Sequence, residues 1–439
     1  PVGRLHREAR VVAGHAAHQF ALRAHRVQPR PRGRGAGGKP AGRQEDQGTQ
    51  GPTYSHGIIM SATTPVTTRR RLLTWAAGAA TLGVPVCRAA SHRMPHVAVL
   101  GAGMAGLWAA LALQETGLRV TVLEAGTRIG GRNWTLRSGD AVPDTRGEPQ
   151  TCAFSPGQGL NAGAWRILPA QARVMALARR FGLALEPVDT SQPALGLHPA
   201  GGMDALPRAL AAALGEPVCT GCEALLVRRL DTRRPVGVRI GYRQDGREHT
   251  LDADLALLTM PLHRLAAIDL ALPADLLAAL PDVEVADAIK IAFETSGRPT
   301  QSPVGDNALR LFWPAPDSAP PSRMVTIYGN ATALARDLPP PRTAQIARAE
   351  ALLRQAAADP ALALAQPLVV QWSRIPFALG AAARLPPDAA PAWQRLRAGL
   401  PPLFFAGDGL SALNGWQEGA LASADHAVRA LRRHLRHTA

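Results

Sequence analysis

The chain has 439 residues, 46% of them hydrophobic, which is enough for two large domains with well-formed cores. No run of 18 apolar residues occurs, so no stable membrane span is expected. The net charge of +16 hints at a polyanionic partner, but fifteen Lys/Arg against three acids lie ahead of residue 94. Only +4 remains on the rest, and no nucleic-acid partner is expected of it.

Residues 1–59 open on Pro1 and hold an Arg/Gly/Pro-rich stretch, PRGRGAGGKPAGRQEDQG, with no apolar periodicity. Such a composition cannot bury a core. It reads as a disordered basic extension translated from upstream of a start at Met60, and so not native. A basic RNA-binding tail is the alternative. From Met60 the pattern changes. Thr68-Arg69-Arg70-Arg71-Leu72-Leu73 fits the twin-arginine export consensus, Trp75 to Val86 is mildly apolar, and Ala89-Ala90 offers small residues for cleavage. Residues 60–93 therefore read as a signal peptide, with a short N-terminal helix as the alternative, and the expected location is periplasmic or secreted. That route carries folded proteins, which suits an enzyme that loads a cofactor first.

The elements follow in chain order. His96–Leu100 is a short strand, followed by a glycine turn and a helix over Met104–Glu115 that Gly117 closes. Leu118–Leu123 is a second strand. Residues 127–165 read as loops around a glycine cluster. Helices are expected over Pro169–Phe181 and Gly202–Leu214. Val218–Ile240 and His249–Thr259 alternate as strands, with Gln244-Asp245-Gly246 as a hairpin turn. Further strands fall in Ala286–Glu294 and Leu309–Tyr328, the latter broken by a loop at Pro316–Ser322. Residues 343–358 form a helix. The end reads strand (Leu403–Ala406), glycine loop and long helix (Ala420–His434). Mixed helices and strands without an internal repeat indicate an α/β fold with an inserted second domain.

Four cysteines occur, Cys87, Cys152, Cys219 and Cys222. Cys219-Thr-Gly-Cys222 has metal or redox spacing, but no second pair and no His cluster accompany it, so no metal site is expected. Two buried thiols are the default reading and a disulfide is the alternative.

Gly101-Ala102-Gly103-Met104-Ala105-Gly106 lies between the first strand and its helix. The first glycine makes the tight turn, the second lets backbone approach a pyrophosphate, and the third lets helix and strand pack. The phosphates would sit on the helix N-terminus. Glu124, followed by Ala125, ends the second strand about twenty residues on, where a carboxylate accepts from ribose hydroxyls. Next, Arg128-Ile129-Gly130-Gly131-Arg132 pairs two glycines with a planar guanidinium fork suited to phosphate. Together these segments point to FAD rather than NAD.

On these motifs the chain resembles the flavin amine oxidase family, more narrowly its L-amino-acid oxidase branch, over about residues 96–432. The resemblance implies a Rossmann-type, glutathione-reductase-like FAD-binding domain (94–190, 200–262 and 370–439) with an inserted α+β substrate-binding domain (263–369 with parts of 160–200). The C-terminal stretch FFAGDGLSALNGWQEGALASADHAVRAL is similar to the family's last FAD motif. It implies that Gly407-Asp408 contacts the diphosphate and ribityl chain. It also implies that the helix from Glu418-Gly419-Ala420 aims its positive end at the flavin, with Trp416 beside the substrate. Gly201-Gly202-Met203 resembles a segment preceding a cofactor-lining helix. Val218 falls where the family binds adenine through backbone.

Lys290 is the single lysine after Lys39. By resemblance it holds a water at flavin N5, a role for a compact ammonium rather than a guanidinium. Asn161-Ala162-Gly163-Ala164-Trp165-Arg166 resembles the segment whose Arg binds the substrate carboxylate, and Tyr328 lies on the strand whose Tyr joins it. Trp372 to Gly380 resembles the family's segment leading back to the cofactor. No cysteine stands where flavin would attach covalently, so non-covalent FAD is implied.

The implied reaction is oxidative deamination of an L-amino acid. Arg166 and Tyr328 clamp the carboxylate, and the Gly415 carbonyl and Trp416 ring position the amine. Hydride passes to flavin N5, and O2 reoxidises the flavin to give keto acid, NH3 and H2O2. Monoamine or polyamine oxidation, with decarboxylating monooxygenation as a smaller variant, and a non-catalytic FAD-binding partner are the alternatives. The partners expected are a small-molecule amine or amino acid and O2, with a homodimer left open.

Overall fold

Alternate residues of four short apolar strands face two different cores, the pattern of a sheet covered on both sides. The strands run parallel in the spatial order Arg119–Leu123, His96–Leu100, Leu255–Leu258, Leu403–Phe405. Val97, Val99, Val120, Leu257 and Phe404 pack on one side beneath helices Met104–Gln114 and Gln417–Thr438. Ala98, Leu100, Leu258 and Phe405 pack on the other side against a second sheet. This computed structural model describes residues 93–188, 193–231, 237–296, 309–312 and 323–438. The expected extension, export signal, Cys87 and loop Pro316–Ser322 lie outside the described residues.

The second sheet is antiparallel through Arg247–Ala253, Gly237–Gln244 and Glu223–Leu230, with Asp269–Leu270 added in parallel. The chain steps from it into the parallel sheet at Asp254, whose carboxylate accepts the His96 N–H at 2.7 Å. The third sheet is antiparallel in the order Leu309–Phe312, Met324–Asn330, Ala288–Thr295, Leu364–Gln371. Its Ile289, Ile291 and Phe293 face a core shared with helix Arg342–Ala357, while Ala288, Lys290 and Ala292 face the opposite side.

Several expectations shift. Residues 127–165 hold two short strand pairs, Thr135–Arg137 with Gly159–Asn161 and Ala141–Val142 with Gln150–Thr151. Pairs of two or three residues leave no readable period. Gly201 and Gly202 adopt φ of 80° and 103°, which delays the following helix to Ala205–Ala212. The run expected at His249–Thr259 is two strands divided at Asp254 between different sheets. Strand Leu364–Gln371 and helix Ala390–Ala398 were not foreseen, and the last helix begins at Gln417. No described helix is long and apolar enough to cross a membrane.

Candidate active site

The carboxyl ends of all four parallel strands open onto one cavity of about 730 Å³, at Gly101, Glu124, Thr259 and Gly407. Strand ends of such a sheet are where this fold class binds ligands. Gly101 has φ of 111°, and a Cβ on Gly106 would stand 1.9 Å from the Gly101 carbonyl oxygen, so turn and helix touch only through glycine. A Cβ on Gly103 would meet nothing within 4 Å, because that position faces open cavity.

Gly103 begins helix Met104–Gln114 without any side-chain cap, and no acid occupies the first turn. Met104 and Ala105 line the cavity. The free N–H groups and the positive dipole end are therefore offered to an anion. Arg128 supplies the countercharge. Its guanidinium stacks 4.0 Å over Trp134, and burial pulls its pKa down to about 10 against the pull of Glu124. Gly130 and Gly131 take φ of 92° and 55° to bring this loop against the glycine turn. Glu124 receives N–H bonds from Ala102 (2.7 Å) and Gly126 (2.8 Å), with Ala125 beside it on the cavity wall. Burial raises its pKa. Each oxygen retains acceptor capacity for a hydroxyl. Space at Gly103, an uncapped helix, a stacked guanidinium and a strand-end carboxylate fit a dinucleotide such as FAD.

Of the expected cofactor contacts, Val218 and Glu418 do not line the cavity, and Arg132 does. Arg132 lines the cavity as expected; its fork also grips Asp408, and it donates to the Ala381 carbonyl at 2.7 Å. Asp408 is correspondingly held by Arg132 and by the Gly415 N–H at 2.9 Å. Val218 does not line the cavity; it packs against the first core, and Cys222, Glu223, Ala224 and Leu225 form that wall. Glu418 is buried away from the cavity, where its carboxylate accepts the N–H groups of Arg173 and Val174 and caps helix Ala172–Arg180. Gln417 and Ala420 are the last helix's cavity residues.

At the other end Gly163, Ala164, Trp165, Arg166, Lys290, Tyr328, Gly415 and Trp416 share one wall system. The third sheet puts Arg310, Tyr328, Lys290 and Val370 directly opposite one another across four strands, hence on one face. Lys290 is 4% exposed and donates to the carbonyl oxygens of Asn161 and Gly163, the latter at 2.9 Å. It braces the segment that carries Arg166. A Cβ on Gly163 would lie 1.8 Å from the Arg132 carbonyl oxygen, so this segment also needs its glycine.

Arg166 donates to the Leu195 carbonyl at 3.0 Å and stacks 4.5 Å from the Trp165 ring, with Trp416 at 5.8 Å. Its Nε is buried without a partner. Burial, reinforced by the charge of Arg310, lowers its pKa. The Tyr328 phenol is raised by burial, with Arg310 opposing, so it stays a neutral donor. Arg310 is not among the residues lining the cavity, but its charge acts on both Arg166 and Tyr328, and no motif in the sequence marks it. Trp372 joins this shell by donating to the Ala162 carbonyl at 3.0 Å. Phe377, also on the wall, holds φ of 63°, an arrangement tolerated where surroundings impose it.

Comparisons agree with this arrangement. The family model for flavin containing amine oxidoreductases matches residues 104–198 and 189–432. A stretch of 102 residues is 45% identical to an L-glutamate oxidase precursor of Streptomyces viridosporus, covering 23% of this chain and 14% of that protein. Another of 43 residues is 58% identical to an L-amino-acid oxidase of Siganus canaliculatus, covering 10% and 8%. The chain thus spans a small part of the length of these relatives. In fold, it is similar to a cyclohexylamine oxidase from Brevibacterium oxydans, with a TM-score of 0.60 and 16% identity over 78% of this chain and all of that one. The family model runs from the helix that follows the uncapped glycine turn to beyond the Gly407–Ala420 segment that closes the cavity, and the chain belongs to the flavin containing amine oxidoreductases, with FAD as its cofactor.

Proposed function

We propose that the chain oxidises an L-amino acid to its imino acid, which hydrolyses to a keto acid and NH3. Bound FAD supplies a two-electron acceptor that O2 regenerates, releasing H2O2. The observation that carries this reading is Arg166, a desolvated guanidinium on the cavity wall with an unpartnered Nε and with Tyr328 on the same cavity. A guanidinium and a neutral phenol form a carboxylate clamp. The field of Arg310 adds to it and opposes an ammonium ion that lacks a carboxylate. The Gly415 carbonyl and the Trp416 ring orient the amine, and Lys290 keeps the 161–166 segment in place.

In this reading the antiparallel sheet from Ala288 to Gln371 belongs to an inserted α+β substrate domain, and residues 94–190, 200–262 and 370–439 form the FAD domain. The names of the L-glutamate and L-amino-acid oxidase relatives favour the same substrate class. Anaerobic mixing of the yellow protein with each L-amino acid and with simple amines tests it. Bleaching by one or more amino acids is expected; bleaching by amines alone rejects the clamp. Arg166→Ala should raise KM for the amino acid by about a hundredfold, the scale of a lost charged contact, with a smaller change in kcat.

A further inference from the structure

The amine chemistry leaves Cys219-Thr-Gly-Cys222 without a task, yet this turn is built into the cofactor cavity. Cys219 and Cys222 are paired as a disulfide, which replaces the two-thiol default expected from sequence. The turn is stitched to the second strand of the parallel sheet. The Cys219 N–H donates to the Val122 carbonyl at 2.9 Å, and the Glu124 N–H donates to the Cys219 carbonyl at 2.8 Å. The Cys222 N–H returns to the Glu124 carbonyl at 2.8 Å, and the Gly221 N–H reaches the Gly126 carbonyl at 2.9 Å. Those four bonds hold the residue whose carboxylate clasps Ala102 and Gly126. Cys222 itself lies on the cavity wall and is 1% exposed. Cys219 is partly buried, the less enclosed of the two, and its Sγ accepts from Gln244 Nε2 at 3.5 Å.

We propose that Cys219–Cys222 is a reversible thiol–disulfide exchange site for a dithiol reductant, and that its oxidised form holds FAD at the Glu124 end of the cavity. One thiolate of the dithiol attacks Sγ of Cys219, the less buried of the two cysteines. The Cys219–Cys222 bond breaks, and Cys222 leaves as a thiolate that takes up a proton. The second thiol of the reductant then displaces Cys219 from the mixed disulfide. Two electrons and two protons thus pass to the cysteine pair, and the dithiol becomes a disulfide. Reduction frees a four-residue turn that the crosslink had fixed, so the Glu124 platform is no longer preorganised for the ligand. The proposal concerns retention of the cofactor and does not depend on which amine is oxidised.

The test uses the FAD-loaded protein. Thiol titration in denaturant should find two more thiols after dithiothreitol treatment than before. Release of FAD, followed by the rise of flavin fluorescence on dilution, should become about tenfold faster after reduction, the scale of lost preorganisation. The Cys219→Ser/Cys222→Ser variant should release FAD at the faster rate with or without dithiothreitol. FMN, which has no adenosine half, should bind the apoprotein equally in both states. The idea is overturned if dithiothreitol exposes no new thiols or if the release rate is unchanged. Equal weakening of FMN and FAD would also sink it, because the effect would then be general loosening. The reduced wild-type protein serves as a second measurement should the double variant fold poorly.

Discussion

Arg132 shows how a guanidinium on the cavity wall also fastens two distant segments of the chain. Its fork holds Asp408, Asp408 holds the Gly415 N–H, and the Ala381 carbonyl takes a further bond from Arg132. One ion pair therefore pins the 407–415 segment onto the loop that follows Glu124. Asp408 keeps only 9% of its side chain exposed, so removing it strands a half-buried cation. Asp408→Ala should cost about 2–3 kcal/mol of stability and most of the bound flavin, measured by thermal melting and by the flavin-to-protein absorbance ratio. Flavin retained at the wild-type ratio would show that the segment is held by other means. Gly106→Ala tests the turn itself. A methyl group 1.9 Å from the Gly101 oxygen must push the helix off the strand, and a loss of about 2 kcal/mol or more is expected.

Among elements, the two helices that meet at Glu418 illustrate what a sequence can and cannot disclose. The C-terminal motif marks Glu418 as belonging to the cofactor segment, and it does sit in the helix that reaches the cavity. Its carboxylate, however, caps helix Ala172–Arg180, some 245 positions earlier in the chain. No local pattern encodes such a partner. Glu418→Gln should lower stability by about 1–2 kcal/mol, the cost of a weakened cap, while the flavin absorbance spectrum stays unchanged.

The glycine turn and the Lys290 strand were legible because each carries a telling residue type: glycine where a side chain cannot fit, and the one lysine after Lys39 in a chain that otherwise uses arginine. Arg166 and Tyr328, expected together by the same resemblance, line one cavity. Arg310, whose charge acts on both, was not legible, because arginine is common in this chain and its place opposite Tyr328 is set only by strand register. Val218 stands off the wall because the chain turns through Gly221 before reaching it at Cys222. Arg310→Ala should raise the Tyr328 phenol pKa further, read by ultraviolet difference titration against Tyr328→Phe, since Arg310 is the charge that lowers it.

Over the whole molecule, His96, His263, His426 and His434 are all pushed below 6.5, in each case chiefly because burial disfavours the imidazolium. Between their lowered values and 6.5 the unfolded chain binds more protons than the folded one. Their contribution to stability is therefore present above 6.5 and lost as pH falls through the lowered values. The melting temperature should change little between about pH 8 and 7 and drop below about 6.5. His96 is a clear contributor, because its Nδ1 accepts from Arg119 at 2.7 Å, leaving Nε2 to donate to Thr121 at 2.9 Å. A second proton would break the Arg119 bond. His96→Gln should flatten part of the acid limb, and an unchanged limb would remove His96 from this account.

The parallel sheet has one more consequence, for the order in which the protein can be made. Its first two strands are joined by one helix, but its third strand arrives at Leu255 and its fourth at Leu403. A ribosome that has released the glycine turn must still synthesise more than three hundred residues before the segment that closes the cavity exists. Pairing across such separations is slow, since the chain must close long loops before those contacts form. Flavin capture therefore belongs to the finished chain, and a transcript cut short ahead of Leu403 yields a polypeptide with half a nucleotide cradle and an exposed apolar sheet edge.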